Sequence, residues 1–297
     1  MNKILKVTRE TTLLNFLFAS FPDINKTRMK QFLKHQCVSV NHAVMTQFDH
    51  SLKPGDQVHL ETSKARAITP ASQFHIKIVY EDDDILVIQK PAGLLTIATD
   101  KIQWETAMFA CNDYLNKKAA AQKPGKSIKY QKQVFVVHRL DRDASGLLLL
   151  AKNENAKFTL QENWGHFTKE YDAIVEGRLE EKSGTISSYL TENQFLRVFS
   201  GPKTSKAKQA ISHYRVVQEN DNYSHVKVLL ETGRKHQIRV HLSDLGHPIV
   251  GDKTYGSVSN PAGRLALHAS RLEFQHPVTG KTLAFTSPLP PALERLL

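Results

Sequence analysis

The chain has only two cysteines among its 297 residues and no long hydrophobic run. Cys37 and Cys111 stand outside any motif, which is typical of a disulfide-free protein in a reducing compartment. No apolar stretch approaches the ~20 residues that a helix needs to span a bilayer. The first ten residues show no apolar segment followed by a cleavage site, so we expect no signal peptide and a cytoplasmic location.

Acidic residues are scarce relative to basic ones: 29 Asp and Glu stand against 40 Lys and Arg, for a formal net charge of +11. Such a surplus bears on partners rather than on fold. Nucleic acid is the first candidate partner, and an anionic membrane surface is the second. Hydrophobic residues make up 40% of the chain, which is enough for a folded core. At roughly 150 residues per domain, the length predicts about two domains.

We predict a small separate domain over residues 1–62. Apolar residues at helical spacing indicate two helices, around Leu13–Phe18 and Met29–Leu33. Alternating apolar residues at positions 38 and 40, and again at 58 and 60, indicate two short strands, with a turn at Lys53–Asp56 between them. The polar segment 63–74 contains a proline and lacks periodicity, so we predict a linker there.

The predicted second helix carries a basic stripe. Lys26, Lys30 and Lys34 recur every four residues, which places them on one helix face, and Arg28 lies between them. No acidic residue occurs from Asn25 to Phe48 to neutralise this charge. We therefore favour a face that binds nucleic-acid phosphates, with an ordinary solvated face as the alternative.

The most informative segment is H-R-L-D-R-D-A-S-G at residues 138–146. Apolar runs precede and follow it, at Val134–Val137 and Leu147–Ala151, and predict two buried strands joined by a turn at residues 144–146. Charged residues at the ends of strands commonly carry chemistry. On spacing alone, a surface turn with a local ion pair between Arg139 and Asp141 is an equal alternative.

This segment resembles the H-R-L-D-x-x-[TS]-S-G signature of the RluA-type pseudouridine synthases. Further segments resemble other motifs of that family in the expected order: K-P-A-G-L at 90–94, K-E-Y at 169–171, the long run from Glu231 to Gly256, and L-H-A at 267–269. The resemblance covers roughly residues 75–297, which we predict to be the catalytic domain. Ala144 is a departure, because the family often has threonine there.

Residues 1–62 resemble the alpha-L RNA-binding module of a small-subunit ribosomal protein. The matching pieces are T-R at 27–28, V-x-V-N at 38–41 and K-P-G-D-x-V at 53–58. That module usually has glycine where Cys37 and His42 stand. The resemblance implies that Lys26, Arg28, Lys30 and Lys34 bind RNA.

Together the resemblances imply an α+β fold whose catalytic domain is built on a mixed, largely antiparallel sheet. They imply an enzyme that isomerises specific uridines in structured RNA by breaking the glycosidic bond, turning the uracil and rejoining it through carbon 5. The reaction needs no redox change and no external energy, so we expect no cofactor. It needs a carboxylate that acts as nucleophile or base, and a target base taken out of its stack.

The family motifs assign roles to five residues. Asp141 would be the carboxylate, which either attacks the anomeric carbon or removes a sugar proton, and Arg239 would pair with it and keep it ionised. Tyr171 would stack on the uracil, although position alone favours a core aromatic. Arg139 would enter the space left by the flipped base. Lys169 would face RNA, with a solvated lysine as an equal alternative.

Ribosomal RNA is favoured over transfer RNA as the partner, because the N-terminal domain resembles modules used on large folded RNAs. We expect a monomer. A non-catalytic RNA-binding or ribosome-assembly factor would be marked by loss of Asp141, Tyr171 or Arg239, and all three are present. The other alternative is a nucleosidase that hydrolyses the glycosidic bond without rejoining it.

Histidine spacing does not predict a metal site. His236, His241 and His247 are five and six residues apart, whereas two ligands on one helix face would be four apart. We therefore expect no metal. Asp252, which follows Gly251, is expected to be a structural cap or turn residue rather than a second acid.

Apolar periodicity predicts strands near 76–80, 85–88, 171–175 and 226–230, and helices near 108–115, 154–163 and 236–245. The segment 117–132 holds six lysines, no acid and a Pro-Gly pair. We predict a mobile basic loop there, with disordered solubilising charge as the alternative.

Overall fold

The computed structural model describes residues 2–22, 24, 29–30, 32–33, 36–61, 76–100, 102, 104–122 and 133–297. The chain forms two compact units, residues 1–73 and residues 74–297. The predicted linker, residues 63–74, lies outside the described residues. Within the described ranges, no helix is both long enough and apolar enough to cross a membrane.

The first unit contains six short strands and one helix whose full bounds the structure gives. The strands are β1 (Asn2–Lys6), β2 (Thr11–Thr12), β3 (Val38–Val40), β4 (Ala43–Val44), β5 (Ser51–Leu52) and β6 (Gln57–Glu61), and the helix is α1 (Leu13–Ser20). An antiparallel sheet has the order β1–β6–β3–β4, and β2 pairs with β5. The sequence predicted α1, β3 and β6 but not β1.

The core of the first unit joins both predicted helical segments to the sheet. Leu13 and Leu17 of α1 are fully buried, and Met29, Phe32 and Leu33 are helical and buried in the same cluster. The strands contribute Val38, Val40, Val58 and Leu60. The turn between β3 and β4 uses Asn41 and His42 at φ +49° and +68°, so His42 takes a left-handed conformation where the module usually has glycine.

The second unit is built on one eleven-stranded sheet. Its strands are β7 (Lys77–Glu81), β8 (Ile85–Lys90), β9 (Phe135–Val136), β10 (Ser145–Ala151), β11 (Thr168–Glu176), β12 (Ser183–Glu192), β13 (Val198–Gly201), β14 (Lys208–Glu219), β15 (Tyr223–Leu230), β16 (Leu267–Gln275) and β17 (Thr282–Thr286). The order is β13–β12–β14–β15–β11–β16–β10–β8–β7, with β17 paired to β16 and β9 to β10. Among the described strands only the β10–β16 pair is parallel. The predicted α+β fold with a mixed, largely antiparallel sheet is confirmed.

Four α-helices accompany this sheet in the described residues: α2 (Ala107–Gln122), α3 (Glu154–Glu162), α4 (Gln237–Asp244) and α5 (Pro291–Glu294). α3 begins after Asn153, whose side chain accepts a hydrogen bond of 2.8 Å from the Ala156 N–H. α4 begins after His236 and ends before Gly246, both of which have positive φ. The helices predicted near 154–163 and 236–245 are confirmed.

The prediction of a loop over 117–132 is wrong for its first six residues, because α2 continues to Gln122. Lys117 lies 2.7 Å from Asp113, one turn earlier in α2, and Lys118 lies 2.7 Å from Glu81 in β7. Acids outside the segment therefore balance its first two lysines and let the helix extend. Residues 123–132 lie outside the described part of the chain.

β10 is the central strand of the second unit. All seven of its residues are buried. Leu147 and Leu149 pack into one hydrophobic cluster, and Leu148 and Leu150 pack into another on the opposite face. A strand covered on both faces has a continuous apolar sequence. Each fully buried leucine side chain contributes roughly 1.5–3 kcal/mol, so β10 anchors the residues that precede it.

Gly146 permits the parallel contact between β10 and β16. It pairs with Ala269 and has φ +114°, and a Cβ at this position would lie 2.2 Å from the Ala269 carbonyl oxygen. The strand thus begins at Ser145, inside the turn predicted at 144–146. The signature needs glycine here because another backbone occupies the place of a side chain.

Gly146→Ala is expected to destabilise the second unit by at least about 3 kcal/mol, because backbone strain and steric overlap both act. Gly280→Ala is the matched control: Gly280 also has positive φ, at +68°, but no atom lies within 4 Å of an added Cβ. It is expected to cost about 1–2 kcal/mol. Urea unfolding of both variants measures the difference, and equal losses would contradict the steric explanation.

Candidate active site

The second unit contains a cavity of about 390 Å³. Its walls come from the segment before β10, from β11, and from the loop and first turn that begin α4. Five of its lining residues are those predicted for the catalytic domain: Arg139, Asp141, Lys169, Tyr171 and Arg239. Residues separated by about 100 positions in the sequence therefore meet around one space.

The neighbours of Asp141 are fixed by groups from the end of β8 and from the segment that follows it. The Thr96 hydroxyl donates to the Leu140 carbonyl oxygen at 2.9 Å and accepts from the Leu140 N–H at 3.2 Å. The Lys90 ammonium donates to the Arg142 carbonyl oxygen at 3.0 Å. Because the residues on both sides are held, the backbone at Asp141 is positioned without help from its own side chain.

Lys90 is fully buried and donates to three carbonyl oxygens, those of Pro91, Leu94 and Arg142. Burial lowers the pKa of Lys90 to about 7, although the charges of Asp143 and Asp141 oppose that change. Three acceptors match the three hydrogens of an ammonium group. Lys90, the first residue of the K-P-A-G-L segment, thus holds the backbone directly after Asp141. The motif match did not predict this role.

Arg239 lies between two carboxylates. Its Nε and Nη2 atoms donate to the Oδ2 and Oδ1 atoms of Asp252 at 2.6 and 2.8 Å, and its Nη1 atom donates to Asp141 Oδ2 at 3.3 Å. Burial acts to lower the pKa of Arg239, but the hydrogen bonds and charges of Asp252 and then Asp141 outweigh burial and raise it. The predicted pair between Arg239 and Asp141 is present, and the shorter contacts go to Asp252.

The expectation that Asp252 is a turn residue agrees with its backbone, whose carbonyl oxygen accepts from the Tyr255 N–H at 3.1 Å, but it missed the ion pair of the Asp252 carboxylate. Its side chain is buried and forms a bidentate ion pair with Arg239. A short 3₁₀ helix does follow at Lys253–Tyr255, but it receives no capping hydrogen bond from the Asp252 side chain. Both carboxylate oxygens are engaged by the guanidinium, which fixes the plane of Arg239 and leaves its third nitrogen directed at Asp141.

Two aromatic rings complete the surroundings of Arg239. Its guanidinium lies 4.9 Å from the centre of the Tyr255 ring, and the Tyr255 hydroxyl is 2.8 Å from His236 Nδ1. His236 Nε2 lies 3.9 Å from Asp141 Oδ1. Burial lowers the pKa of His236, and the charge of Asp141 opposes this effect. The sequence considered His236 only as a possible metal ligand, so this second neighbour of Asp141 was missed.

Tyr171 lines the cavity and packs against two hydrophobic clusters. Burial raises the pKa of Tyr171, and the charge of Asp141 adds to the effect. The phenol is therefore neutral at ordinary pH and presents both a ring face and a proton. The core-aromatic and cavity-lining interpretations of this residue are compatible.

Lys169 is not a solvated lysine, since only 4% of the residue is exposed. Its ammonium donates to the Trp164 carbonyl oxygen at 3.0 Å and lies 5.6 Å from the centre of the indole ring. Burial lowers the pKa of Lys169. The solvated alternative was wrong because β11 carries this residue into the cavity wall, where only part of the side chain meets the open space.

His138 and Arg139 begin the signature in different environments. His138 stacks on Trp164 with ring centres 4.2 Å apart, and its Nε2 accepts from the Leu149 N–H at 3.0 Å. Burial lowers the pKa of His138 to about 3, and the charge of Lys169 acts in the same direction. The imidazole is thus neutral, with its proton on Nδ1. Arg139 is exposed at the edge of the cavity.

A buried hydrogen-bonded chain supports the start of β10. Arg264 Nη2 donates to Ser145 Oγ at 2.7 Å, so the Ser145 hydroxyl donates to His268 Nδ1 at 2.7 Å. His268 Nε2 then donates to Ser287 Oγ at 2.8 Å. Burial lowers the pKa of His268 to about 4, which keeps it neutral in this chain. The parallel pair of Ser145 with His268 therefore has a side-chain link as well as a backbone one.

The histidines considered for a metal site have separate partners. His241 contacts Ser188 and Ser212, and His247 contacts the Glu176 carbonyl oxygen. In the described part of the chain, Asp82, Asp84 and His276 do come within 4.8 Å of one another. However, His276 Nδ1 accepts from two backbone N–H groups, so its Nε2 carries the proton and donates to Asp82. That arrangement opposes metal binding by His276.

The remaining predicted residues belong to the first unit. Lys30 is exposed on a helical segment, as an RNA-binding face requires. Lys26, Arg28 and Lys34 lie outside the described residues.

Comparison with known proteins gives a consistent result over most of the chain. The family described as RNA pseudouridylate synthase matches residues 84–244, which include Asp141, Tyr171 and Arg239. The chain is 33% identical over 283 residues to the RNA pseudouridine synthase YhcT of Bacillus subtilis, covering 92% of this chain and 88% of that protein. It is 32% identical to ribosomal large subunit pseudouridine synthase D of Vibrio parahaemolyticus, covering 91% and 85% of the two chains.

A solved structure has a similar fold. Human RNA pseudouridylate synthase domain containing 1 is 28% identical, covers 74% of this chain and 86% of its own, and superimposes with a TM-score of 0.55.

His138→Gln is expected to weaken the dependence of stability on pH. The folded pKa of His138, about 3, lies below its ordinary value of 6.5, so unfolded chains bind a proton first and stability falls as pH drops below 6.5. Between pH 7.5 and 5.0 this group should cost the wild type about 2 kcal/mol. The glutamine amide oxygen can still accept from Leu149. Urea unfolding at both pH values measures the difference, and identical pH dependence in the two proteins would contradict the buried neutral imidazole.

Proposed function

Because this chain belongs to the RNA pseudouridylate synthase family and is an RNA pseudouridine synthase, we propose that its cavity receives one uridine turned out of its stack in ribosomal RNA. One observation carries the assignment of the catalytic residue: among the described residues that line the cavity, Asp141 bears the single carboxylate. Its side chain is 26% exposed and therefore accessible to a bound nucleotide.

Asp141 is the proposed catalytic residue. The C1′–N1 bond breaks, the C1′–C5 bond forms, carbon 5 loses a proton and N1 gains one, so atoms and electrons balance without a cofactor. The carboxylate either attacks C1′ or removes a proton from the sugar. Arg239, held by Asp252, places a positive charge 3.3 Å from Asp141 Oδ2, next to the carboxylate that both routes use.

Tyr171 and Arg139 are proposed to hold the extruded nucleotide. The neutral ring of Tyr171 offers a stacking face for uracil, and its hydroxyl can hold a proton near the base. Arg139 is exposed at the cavity edge, where a planar guanidinium can occupy the space that the flipped base leaves in the RNA. Lys169 lines the cavity from a buried position and is proposed to contact the nucleotide rather than a distant phosphate.

The class of RNA rests on two features. Relatives of this chain are named ribosomal large subunit pseudouridine synthase D, and residues 1–62 resemble a module used on large folded RNAs. Transfer RNA is the alternative substrate.

Residues 1–62 are proposed to be an alpha-L type RNA-binding domain and 63–74 a linker. Lys26, Arg28, Lys30 and Lys34 are proposed to bind RNA phosphates, and the protein is proposed to be a cytoplasmic monomer.

Asp141→Asn is expected to lower the rate of isomerisation by at least about 10⁴-fold, because the substitution removes the reacting carboxylate while keeping its shape. RNA affinity should change little, since phosphate contacts dominate it. Asp143→Asn is the matched control: Asp143 is two residues away and pairs with Arg142. Tritium release from 5-tritiated uridine RNA measures the rate. Full activity of Asp141→Asn would refute the assignment.

Deleting the gene from its host is expected to remove one or more pseudouridines from large-subunit ribosomal RNA and none from transfer RNA. Sequencing of carbodiimide-treated RNA from both strains measures this, and re-expression of the wild type but not of Asp141→Asn should restore the sites. Loss confined to transfer RNA would favour the alternative substrate. Release of free uracil by the purified protein would indicate a nucleosidase.

A further inference from the structure

The hairpin of β12 and β13 carries apolar side chains at its exposed end. Phe195 is 80% exposed, Leu196 68% and Phe199 45%. We call these three residues the apolar tip. Single exposed apolar residues are common, but two aromatics and a leucine within five positions form a patch that indicates a binding surface.

The tip is held in place by its own loop. The Asn193 side-chain oxygen accepts from the N–H groups of Phe195 and Arg197 at 2.9 and 3.0 Å. Leu196 adopts φ +62°, a left-handed conformation that a leucine rarely takes. The loop therefore holds Phe195 and Leu196 toward solvent instead of letting them fold back onto the sheet.

The chain segment that contains the tip is basic, and the nearest carboxylates, Glu192 and Asp244, are engaged by Lys235 and by the Ser200 hydroxyl. No acidic residue occurs from Asn193 to Gln218. Five cationic side chains in this stretch are exposed, and four of them lie within thirteen residues of Phe195: Arg197, Lys203, Lys206 and Lys208. Exposed aromatic rings beside a basic surface are the combination that binds unpaired nucleotides, because bases stack on the rings and phosphates meet the cations.

One lysine joins the tip to the cavity. Lys235 lines the cavity, and its ammonium donates to Glu192 Oε1 at 2.5 Å and to the Leu196 carbonyl oxygen at 3.0 Å. On the other side of the hairpin, the Val198 N–H donates to the Tyr255 hydroxyl at 3.2 Å. The wall of the cavity and the apolar tip are therefore joined through one side chain.

We propose that the apolar tip is an additional RNA-binding surface, on which an unpaired base close to the target uridine stacks against Phe195. Arg197, Lys203, Lys206 and Lys208 bind the phosphates of the same strand. The proposal rests on the proposed function, in that the strand is the one whose uridine enters the cavity. The hairpin would then favour target uridines that have unpaired nucleotides beside them. The basic surroundings and the RNA substrate favour this occupant over a protein or a second copy of the chain.

The test compares binding of a single-stranded RNA 20-mer with binding of the same 20-mer in a duplex, using the full chain. Phe195→Leu keeps an apolar side chain but removes the ring, and should weaken single-strand binding at least about fivefold while leaving duplex binding unchanged. Phe195→Tyr should bind both RNAs as the wild type does. Phe158→Leu is the matched control, because Phe158 is also exposed and has a lysine 4.8 Å from its ring centre. It should change neither affinity.

The salt dependence of RNA affinity distinguishes the contribution of the lysines from that of the Phe195 ring. Replacing Lys203, Lys206 and Lys208 together by alanine should lower the slope of log affinity against log salt by about two for the single strand. Phe195→Leu should leave that slope unchanged, because stacking releases no counterions. Unchanged single-strand affinity in Phe195→Leu, or an equal loss on duplex RNA, would overturn the proposal. So would sedimentation showing that Phe195→Leu only dissociates a dimer.

Tritium release from ribosomal RNA by the wild type and by Asp141→Asn tests the proposed function separately from the inference about the tip. A tip that does not bind single strands, in a wild type that makes pseudouridine, would overturn only the present inference. Absence of isomerisation by the wild type would instead count against the proposed substrate. Circular dichroism melting of each variant checks that the exposed substitutions leave the fold intact.

Discussion

One guanidinium between two carboxylates organises the candidate site. Arg239 meets Asp252 through two short hydrogen bonds and Asp141 through one longer contact. Removing one partner of a buried pair costs roughly 3–5 kcal/mol, because the other charge is left uncompensated. Asp252 therefore fixes the cation, and the cation then holds the more exposed Asp141. The Tyr255 ring, His236 and the first turn of α4 are all arranged around this guanidinium.

The backbone on either side of Asp141 is held by hydrogen bonds to carbonyl oxygens and not by an ion pair. Thr96, in the segment that follows β8, holds the residue before Asp141, and the buried Lys90, at the end of β8, holds the residue after it. Behind them, Gly146 and Ser145 seat β10 against β16. The reactive side chain is thus free to meet a nucleotide while its backbone is fixed from three elements. This is the arrangement that a preorganised catalytic group requires.

Much of this could be predicted from the sequence, and the failures have physical causes. The ordered motifs predicted the fold and which residues would line the cavity, because motif residues meet where strand ends and α4 converge. The ion pair of Asp252 was not predicted because its partner lies 13 positions earlier and the pair forms only by tertiary folding. The solvated alternative for Lys169 was wrong because β11 buries this lysine, whereas lysine is usually solvated. Residues 117–122 are helical because Asp113 and Glu81 compensate charges that look unbalanced in the sequence.

The parallel pair of β10 and β16 also sets the order of events during synthesis. Ser145 and His268 are 123 residues apart, so β10 leaves the ribosome well before its neighbour exists. At about 5–20 residues per second, the interval is roughly 6–25 s. During that time β8 can cover one edge of β10 and β9 can pair with Leu150 and Ala151, but the start of β10, at Ser145 and Gly146, still lacks its β16 partner and is open to non-native pairing. A newly made chain therefore cannot assemble the support behind its catalytic loop until its last strands emerge. Its most apolar strand is the part that most needs protection until then.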